Sequence, residues 1–109
     1  KAANEQAAIL KYDEKCDYVV CLSHLGYKYR TNEISDVALA SVSKDIDLII
    51  GGHTHTFLKE PTLVKNENGE AVMVNQAGWA GILLGRIDLY FERNFKKKCV
   101  YCKNLEISG

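Results

Sequence analysis

Hydrophobic and polar positions change rhythm near the middle of the chain. Over residues 2–15, Ala3, Ala7, Leu10 and then Cys16 recur near helical spacing, which predicts an amphipathic helix. Asp17-Tyr18-Val19-Val20-Cys21-Leu22 is an almost continuous apolar run. Its β-branched and aromatic content predicts a buried strand of a parallel sheet. Ser23-His24-Leu25-Gly26 reads as a loop. Thr31 or Asn32 is placed to cap a second helix over 33–43, with Ile34, Val37, Ala38, Ala40 and Val42 available for its buried side. Asp47-Leu48-Ile49-Ile50 predicts a second buried strand that ends at Gly51-Gly52. Strand, helix, strand in this order is a βαβ unit.

Beyond Pro61 the pattern is that of antiparallel strands. Thr62-Leu63-Val64 and Ala71-Val72-Met73-Val74 flank a polar stretch containing Asn68-Gly69, a turn signal, so a hairpin is expected. Residues 75–81 form a glycine-punctuated loop. From Leu83 onward, Leu83, Gly85, Ile87, Leu89 and Phe91 alternate with Leu84, Arg86, Asp88, Tyr90 and Glu92, which predicts a strand with two distinct faces. A turn near Asn94 then leads to a last strand over about 98–107. The expectation is an α/β fold: a βαβ unit followed by antiparallel strands, in one unit over 1–109.

Composition narrows the classes. The 109 residues carry 14 Lys+Arg against 14 Asp+Glu, with 47% hydrophobic and 26% charged residues, the balance of a globular domain. With 8 Gly and 1 Pro, a collagen-like or disordered chain is excluded. No apolar run approaches the ~20 residues of a membrane helix, so no membrane span is expected. The neutral balance gives no general electrostatic grip on nucleic acid. Lys1 is not Met, and the first ten residues lack a signal-peptide pattern, so the chain is expected to belong to a longer polypeptide. The four cysteines, Cys16, Cys21, Cys99 and Cys102, fit two disulfides only in an oxidising compartment, and the apolar content does not require such staples.

The histidines carry the chemistry. His24 follows the first buried strand; His53 and His55 follow the second, in Gly51-Gly52-His53-Thr54-His55. Ligands collect at the carboxyl ends of parallel strands, so these positions are expected to converge at one sheet edge. In extended backbone, His53 and His55 would face one side with Thr54 turned away. Neutral imidazole is a common metal ligand, so the three histidines form a candidate metal site. Each taken singly is a surface histidine; all three at the ends of two adjacent strands favour the metal reading.

These residues resemble a known family. The segment from Cys16 to Gly26, ending Ser23-His24-Leu25-Gly26, resembles the "strand, then S-H-x-G" element of calcineurin-like metallophosphoesterases. Asp47 to His55 resembles their closing G-H-x-H element. Gln76-Ala77-Gly78, then Gly81 and Leu84-Gly85, resembles the 5′-nucleotidase branch, over about residues 5–93 in all. The resemblance implies part of a four-layer αββα sandwich and a pair of divalent ions (zinc, manganese, iron or cobalt) that activate water to attack a phosphate ester, most simply a nucleotide 5′-monoester. It implies His24 and His53 on one ion and His55 on the other, with Gln76 and Gly78 bordering the site and no ligand role for them. It also implies a periplasmic or extracellular setting. The family's D-x-H, G-D-x-x-[DN] and G-N-H-[DE] motifs are absent. Asp45 and Asp47 precede the second strand's exit and Asp36 is expected mid-helix, so none is placed to bridge two ions. Neutral imidazoles alone do not offset the repulsion of two divalent ions. This implies the C-terminal part of a catalytic domain, without its N-terminal half or a separate nucleotide-binding domain, inactive alone and with no catalytic residue of its own beyond the three ligands. The alternative is a stand-alone, non-catalytic metal- or phosphate-binding module.

Other features invite chemistry less. Cys99-Val100-Tyr101-Cys102 is a C-x-x-C on a predicted strand, where sulfurs three residues apart take opposite faces; a redox role would need a depressed thiol pKa. Arg93 and Lys96-Lys97-Lys98 are expected at an exposed turn between strands. Tyr27, Tyr29 and Arg30 are expected to pack or lie in solvent, with substrate contact as the alternative, and Trp79 to pack in the core, with an exposed aromatic near the site as the alternative.

Overall fold

The histidines owe their positions to one four-stranded sheet. The computed structural model describes residues 1–92 and 98–107. The elements run α1 (Ala2–Ala8), a π-helical turn (Ile9–Asp13), β1 (Val20–Leu22), α2 (Asp36–Val42), β2 (Leu48–Ile50), β3 (Thr62–Lys65), β4 (Ala71–Asn75), β5 (Leu83–Phe91) and β6 (Lys98–Glu106). The sheet order is β1-β2-β4-β3, and β5 and β6 form a separate two-stranded ribbon. β1, β2 and β4 are parallel, with Cys21 beside Ile49 and Ile49 beside Val74; β3 returns antiparallel along β4. The βαβ unit and the hairpin therefore form as the sequence predicts. The sequence does not show that β4 also joins the parallel strands, which makes the hairpin part of the first sheet.

Three local departures have physical causes. The first helix is α-helical only to Ala8 and then widens, which brings Lys11 and Tyr12 to Asp45 at 3.3 and 3.0 Å and leaves Leu10 and Cys16 off the buried stripe. β1 is half the predicted length. The Val19 amide is taken by the Asp47 carboxylate, and its carbonyl is shared by Asp47 and Leu48 amides, so the ladder starts only at Val20. The second helix begins at Ser35, not Thr31 or Asn32. The Ser35 hydroxyl caps Ala38, and the carbonyls of Gly26 and Tyr27 accept the amides of Asp36 and Val37. Asp36 is thus the first residue of α2, not a mid-helix one.

Cross-strand neighbours share a sheet face. On one face, Ile49, Val72 and Val74 are sealed under the helices, in a core with Ala7, Val19, Ala40 and Ile46. On the other, Leu48, Met73 and Asn75 are covered, while Val20, Leu22, Ile50 and Leu63 are exposed. The ribbon attaches to this second face through Asn104, whose amide pairs reciprocally with Asn75 at 2.8 and 2.9 Å and donates to the carbonyls of Leu58 and Gln76. The predicted alternation of β5 is only partly realised: Ile87 and Leu89 are half-buried but Phe91 is exposed, because a two-stranded ribbon covers only part of the sheet. Phe91 instead meets Tyr18 edge-on at 6.2 Å. The turn near Asn94 and the basic run from Arg93 to Lys97 lie outside the described residues. Among the described residues, no helix is long and apolar enough to cross a membrane.

Candidate functional site

Each histidine turn leaves the carboxyl end of a parallel strand. After β1, the Ser23 amide donates to the Ile50 carbonyl at 2.9 Å, extending the ladder, and the chain turns at once. Ser23 Oγ accepts the Leu25 amide at 3.2 Å and donates to Asp36 Oδ1. Gly26, at φ 101°, completes the bend, and the Tyr29 hydroxyl donates to the Leu25 carbonyl at 2.6 Å. His24 is left exposed at the rim.

The second turn is more contorted. After β2, the Gly51 amide donates to the Asn75 carbonyl, and the Thr54 amide donates to the Gly52 carbonyl across His53, both at 2.9 Å. His53 and His55 are left-handed, at φ 71° and 53°. Extended backbone through this motif is therefore corrected, although Thr54 does turn inward: its hydroxyl accepts the Tyr27 amide at 2.9 Å and so ties the two turns together. Histidine is among the residues that enter the left-handed region more readily than most, but two such residues still cost free energy that the surroundings must offset.

The turns bring His24 and His53 together, their rings edge to face with centroids 5.1 Å apart. His55 is directed to a different neighbour. It lies parallel to the Trp79 ring, 6° between planes and 5.5 Å between centroids. Trp79 is 57% exposed, so packing in the core is not its role. Tyr27 packs against the core and its hydroxyl pairs with Thr62 at 2.7 Å, as a structural residue. Cys102 is half-buried, and burial raises its thiol above the usual range, the opposite of what a redox cysteine needs; the Cys99 side chain lies outside the described residues. Cys16, Cys21 and Cys102 are free thiols.

Two side chains beneath the turns, Asp36 and Gln76, are buried in a way the sequence reading did not foresee, although it placed Gln76 at the border of the site. Asp36 is fully buried, with Oδ1 accepting from Ser23 and Oδ2 without a hydrogen-bond partner. Burial pushes its carboxyl up, while the Ser23 hydrogen bond and the nearby His24 pull it back. A Cβ at Gly51 would collide with Asp36 Oδ2, so glycine is needed where the second turn passes over the carboxylate. Gln76 is 1% exposed and faces the second turn from below. The Ser35-Asp36 pair was a visible capping signal; the burial of Gln76 had none.

No family model matches the chain. Individual proteins do. It is 37% identical over 92 residues to a trifunctional nucleotide phosphoesterase protein of Bacillus subtilis, covering 84% of this chain and 6% of that protein. It is 33% identical to an apyrase of Aedes aegypti, covering 90% of this chain and 19% of that one. The crystal structure of a 5′-nucleotidase precursor from Thermus thermophilus superposes with a TM-score of 0.80 at 28% identity, over 96% of this chain and 22% of that one. The chain belongs to the 5′-nucleotidase family. It spans less than a quarter of the length of each of these relatives. The mixed α/β architecture matches that of the 5′-nucleotidase structure.

The donor set fits only in part the ions that a 5′-nucleotidase relationship implies. Two exposed imidazoles adjoin, which suits a divalent ion. Among the described residues, no three His, Cys, Asp or Glu side chains converge to hold one. Asp36, the nearest buried carboxylate, engages Ser23 with one oxygen and packs the other against Gly51. The described residues thus place two imidazoles together without an anionic side chain converging with them.

Proposed function

We propose that this chain supplies the histidine ligands of a dinuclear phosphoesterase that hydrolyses nucleotide 5′-phosphates, as the C-terminal part of its catalytic domain. The 5.1 Å approach of His24 and His53, from turns about thirty residues apart, is the observation that carries the reading. In it, His24 and His53 hold one divalent ion and His55 the other. The ions, from among zinc, manganese, iron and cobalt, supply an activated water and charge neutralisation at the phosphate. The chain's own contribution is positional. β1 and β2 bring the imidazoles to one edge, Gly51 and Gly52 let the second turn pass close to Asp36 and His24, and Trp79 fixes the plane of His55. Bridging carboxylates come from the N-terminal half of the same polypeptide. By itself the chain is inactive. The working protein is placed in the periplasm or outside the cell, in line with the family resemblance and a relative named as a precursor.

The test is phosphate release from a nucleoside 5′-monophosphate by the natural protein that contains this chain. Activity that is removed by chelation and falls at least about 100-fold in His53→Ala supports the reading, since losing even an outer-shell partner costs 10–100-fold. Full activity in His53→Ala overturns it. Robust turnover by the 109 residues alone would contradict the partial-site reading.

A further inference from the structure

The turn that carries His53 and His55 lies over a single buried amide. Gln76 follows directly from β4 and is 1% exposed. Its Nε2 donates to the Gly52 carbonyl at 3.0 Å. Its Oε1 accepts the Thr56 amide at 2.5 Å and the Thr54 hydroxyl at 3.4 Å. These partners, at 52, 54 and 56, alternate with the histidines. Each histidine is therefore flanked on both sides by a residue held by the same side chain. Both histidines are left-handed, a conformation that a β-carbon disfavours. A glutamine has an acceptor and a donor at one end of a flexible stem, so it can take an amide and give to a carbonyl at once. A leucine or methionine fills the same space and does neither.

We propose that Gln76 is the positioning residue of the histidine turn: its amide sets the left-handed backbone at His53 and His55, and so fixes where the two imidazoles stand. The part of this that concerns metal affinity rests on the ligand reading above. The part that concerns backbone shape does not.

The bonds also explain why the two glycines and Thr54 lie where they do. Gly51 passes between Asp36 and Gln76, with a Cβ there 3.4 Å from Gln76 Nε2 as well as against the carboxylate. Thr54 Oγ1 meets Thr56 Oγ1 at 2.8 Å while receiving the Tyr27 amide. Gln76 thereby acts on the second turn directly and on the first through Thr54. On the far side of β4, Asn75 and Asn104 form an amide pair that binds the ribbon; it reaches Gln76 only at the backbone carbonyl, at 3.2 Å, and makes none of these contacts to residues 52–56.

The experiment compares Gln76→Met, Gln76→Glu and Asn104→Ala in the full chain by nuclear magnetic resonance, with Zn²⁺ as the probe. Gln76→Met keeps volume and removes both polar atoms. Exchange of the Thr56 amide is expected to speed up by at least about tenfold, the loss of one good hydrogen bond, and the couplings that report positive φ at His53 and His55 to collapse toward averaged values. Gln76→Glu keeps the acceptor, so it should restore Thr56 protection without restoring the bond to Gly52. Asn104→Ala should loosen the ribbon and leave Thr56 protected; a merely structural Gln76 would make these two sites behave alike. Zn²⁺ affinity should fall about 10–100-fold in Gln76→Met and stay within about twofold in Asn104→Ala. Unchanged Thr56 exchange and histidine couplings in Gln76→Met overturn the proposal. If those change as expected but the wild-type chain takes no Zn²⁺ at its histidines, the positioning role stands and the ligand reading fails.

Discussion

The two histidine turns leave adjacent parallel strands yet are held in opposite ways. The turn after β1 keeps ordinary backbone at His24 and is braced by the buried carboxyl group of Asp36 acting through Ser23. The turn after β2 has two left-handed histidines and is braced by a neutral amide, Gln76, with both polar ends engaged. Asp36 keeps an oxygen without a partner. The difference shows where each turn's cost lies. In the first it is a buried carboxyl with one oxygen unsatisfied; in the second it is backbone strain. Both costs border the edge where the imidazoles meet, which is where strain and unpaired groups are expected to gather if the edge has a function.

Within the two turns, the largest effect expected comes from the residue that touches both braces. Gly51→Ala would force a Cβ onto the Asp36 carboxylate, and should destabilise the chain by about 3 kcal/mol, at the upper end for overpacking, in urea unfolding. Gly52→Ala is milder, since its Cβ would meet only the His24 ring at 3.3 Å. Next is Asp36→Asn. If the charge is the first turn's burden, this substitution should raise stability at neutral pH by on the order of 1 kcal/mol, because an unsatisfied buried group costs about 1–3 kcal/mol. A loss of that size would instead show that the charge is compensated.

Smaller effects separate the turns by their backbone. His53→Gly should be neutral or stabilising by up to about 1 kcal/mol, since glycine enters the left-handed region freely, whereas His24→Gly should only destabilise. Equal losses at both would remove the strain argument. The smallest effect at ordinary pH concerns the strand that feeds the first turn. Burial, aided by Asp47, raises the Tyr18 hydroxyl from 10.0 to about 12. Its folded pKa lies above the unfolded one, so its contribution is fully present below pH 10 and is lost as pH rises toward 12. An ultraviolet phenolate titration should show a late-titrating component that Tyr18→Phe removes; an unchanged titration curve in Tyr18→Phe would contradict the burial.

Much of the fold was legible because it rests on local pattern. The runs Tyr18–Leu22 and Leu48–Ile50 are nearly continuously apolar, as strands of a parallel sheet tend to be, and the histidines stand where such strands end. The hairpin was legible too, although its loop is organised by Asn66, whose Oδ1 accepts the amides of Asn68 and Glu70, more than by Asn68-Gly69 alone. What escaped was set by distant partners. Asp36 became the first residue of its helix because carbonyls of Gly26 and Tyr27 meet the helix end. His53 and His55 became left-handed because Gln76, twenty residues on, fixes their neighbours. Trp79 left the core to lie on His55. None of these has a periodicity.

The same contrast explains the open face of the sheet. Val20, Leu22 and Ile50 are exposed there, Leu22 at 80%, while their partners on the helix side are sealed. Leu22→Ser should therefore leave stability within about 0.5 kcal/mol, as exposed positions do, whereas Ile49→Ala should cost about 2–5 kcal/mol.

The most direct test of the account is a Zn²⁺ titration of the chain with the imidazole nitrogens of His24 and His53 observed together. The account predicts that both rings respond at the same Zn²⁺ concentration, and that His24→Ala abolishes the response at His53. Independent responses of the two rings, or an unaltered His53 response in His24→Ala, would contradict the claim that the two turns build one ligand pair.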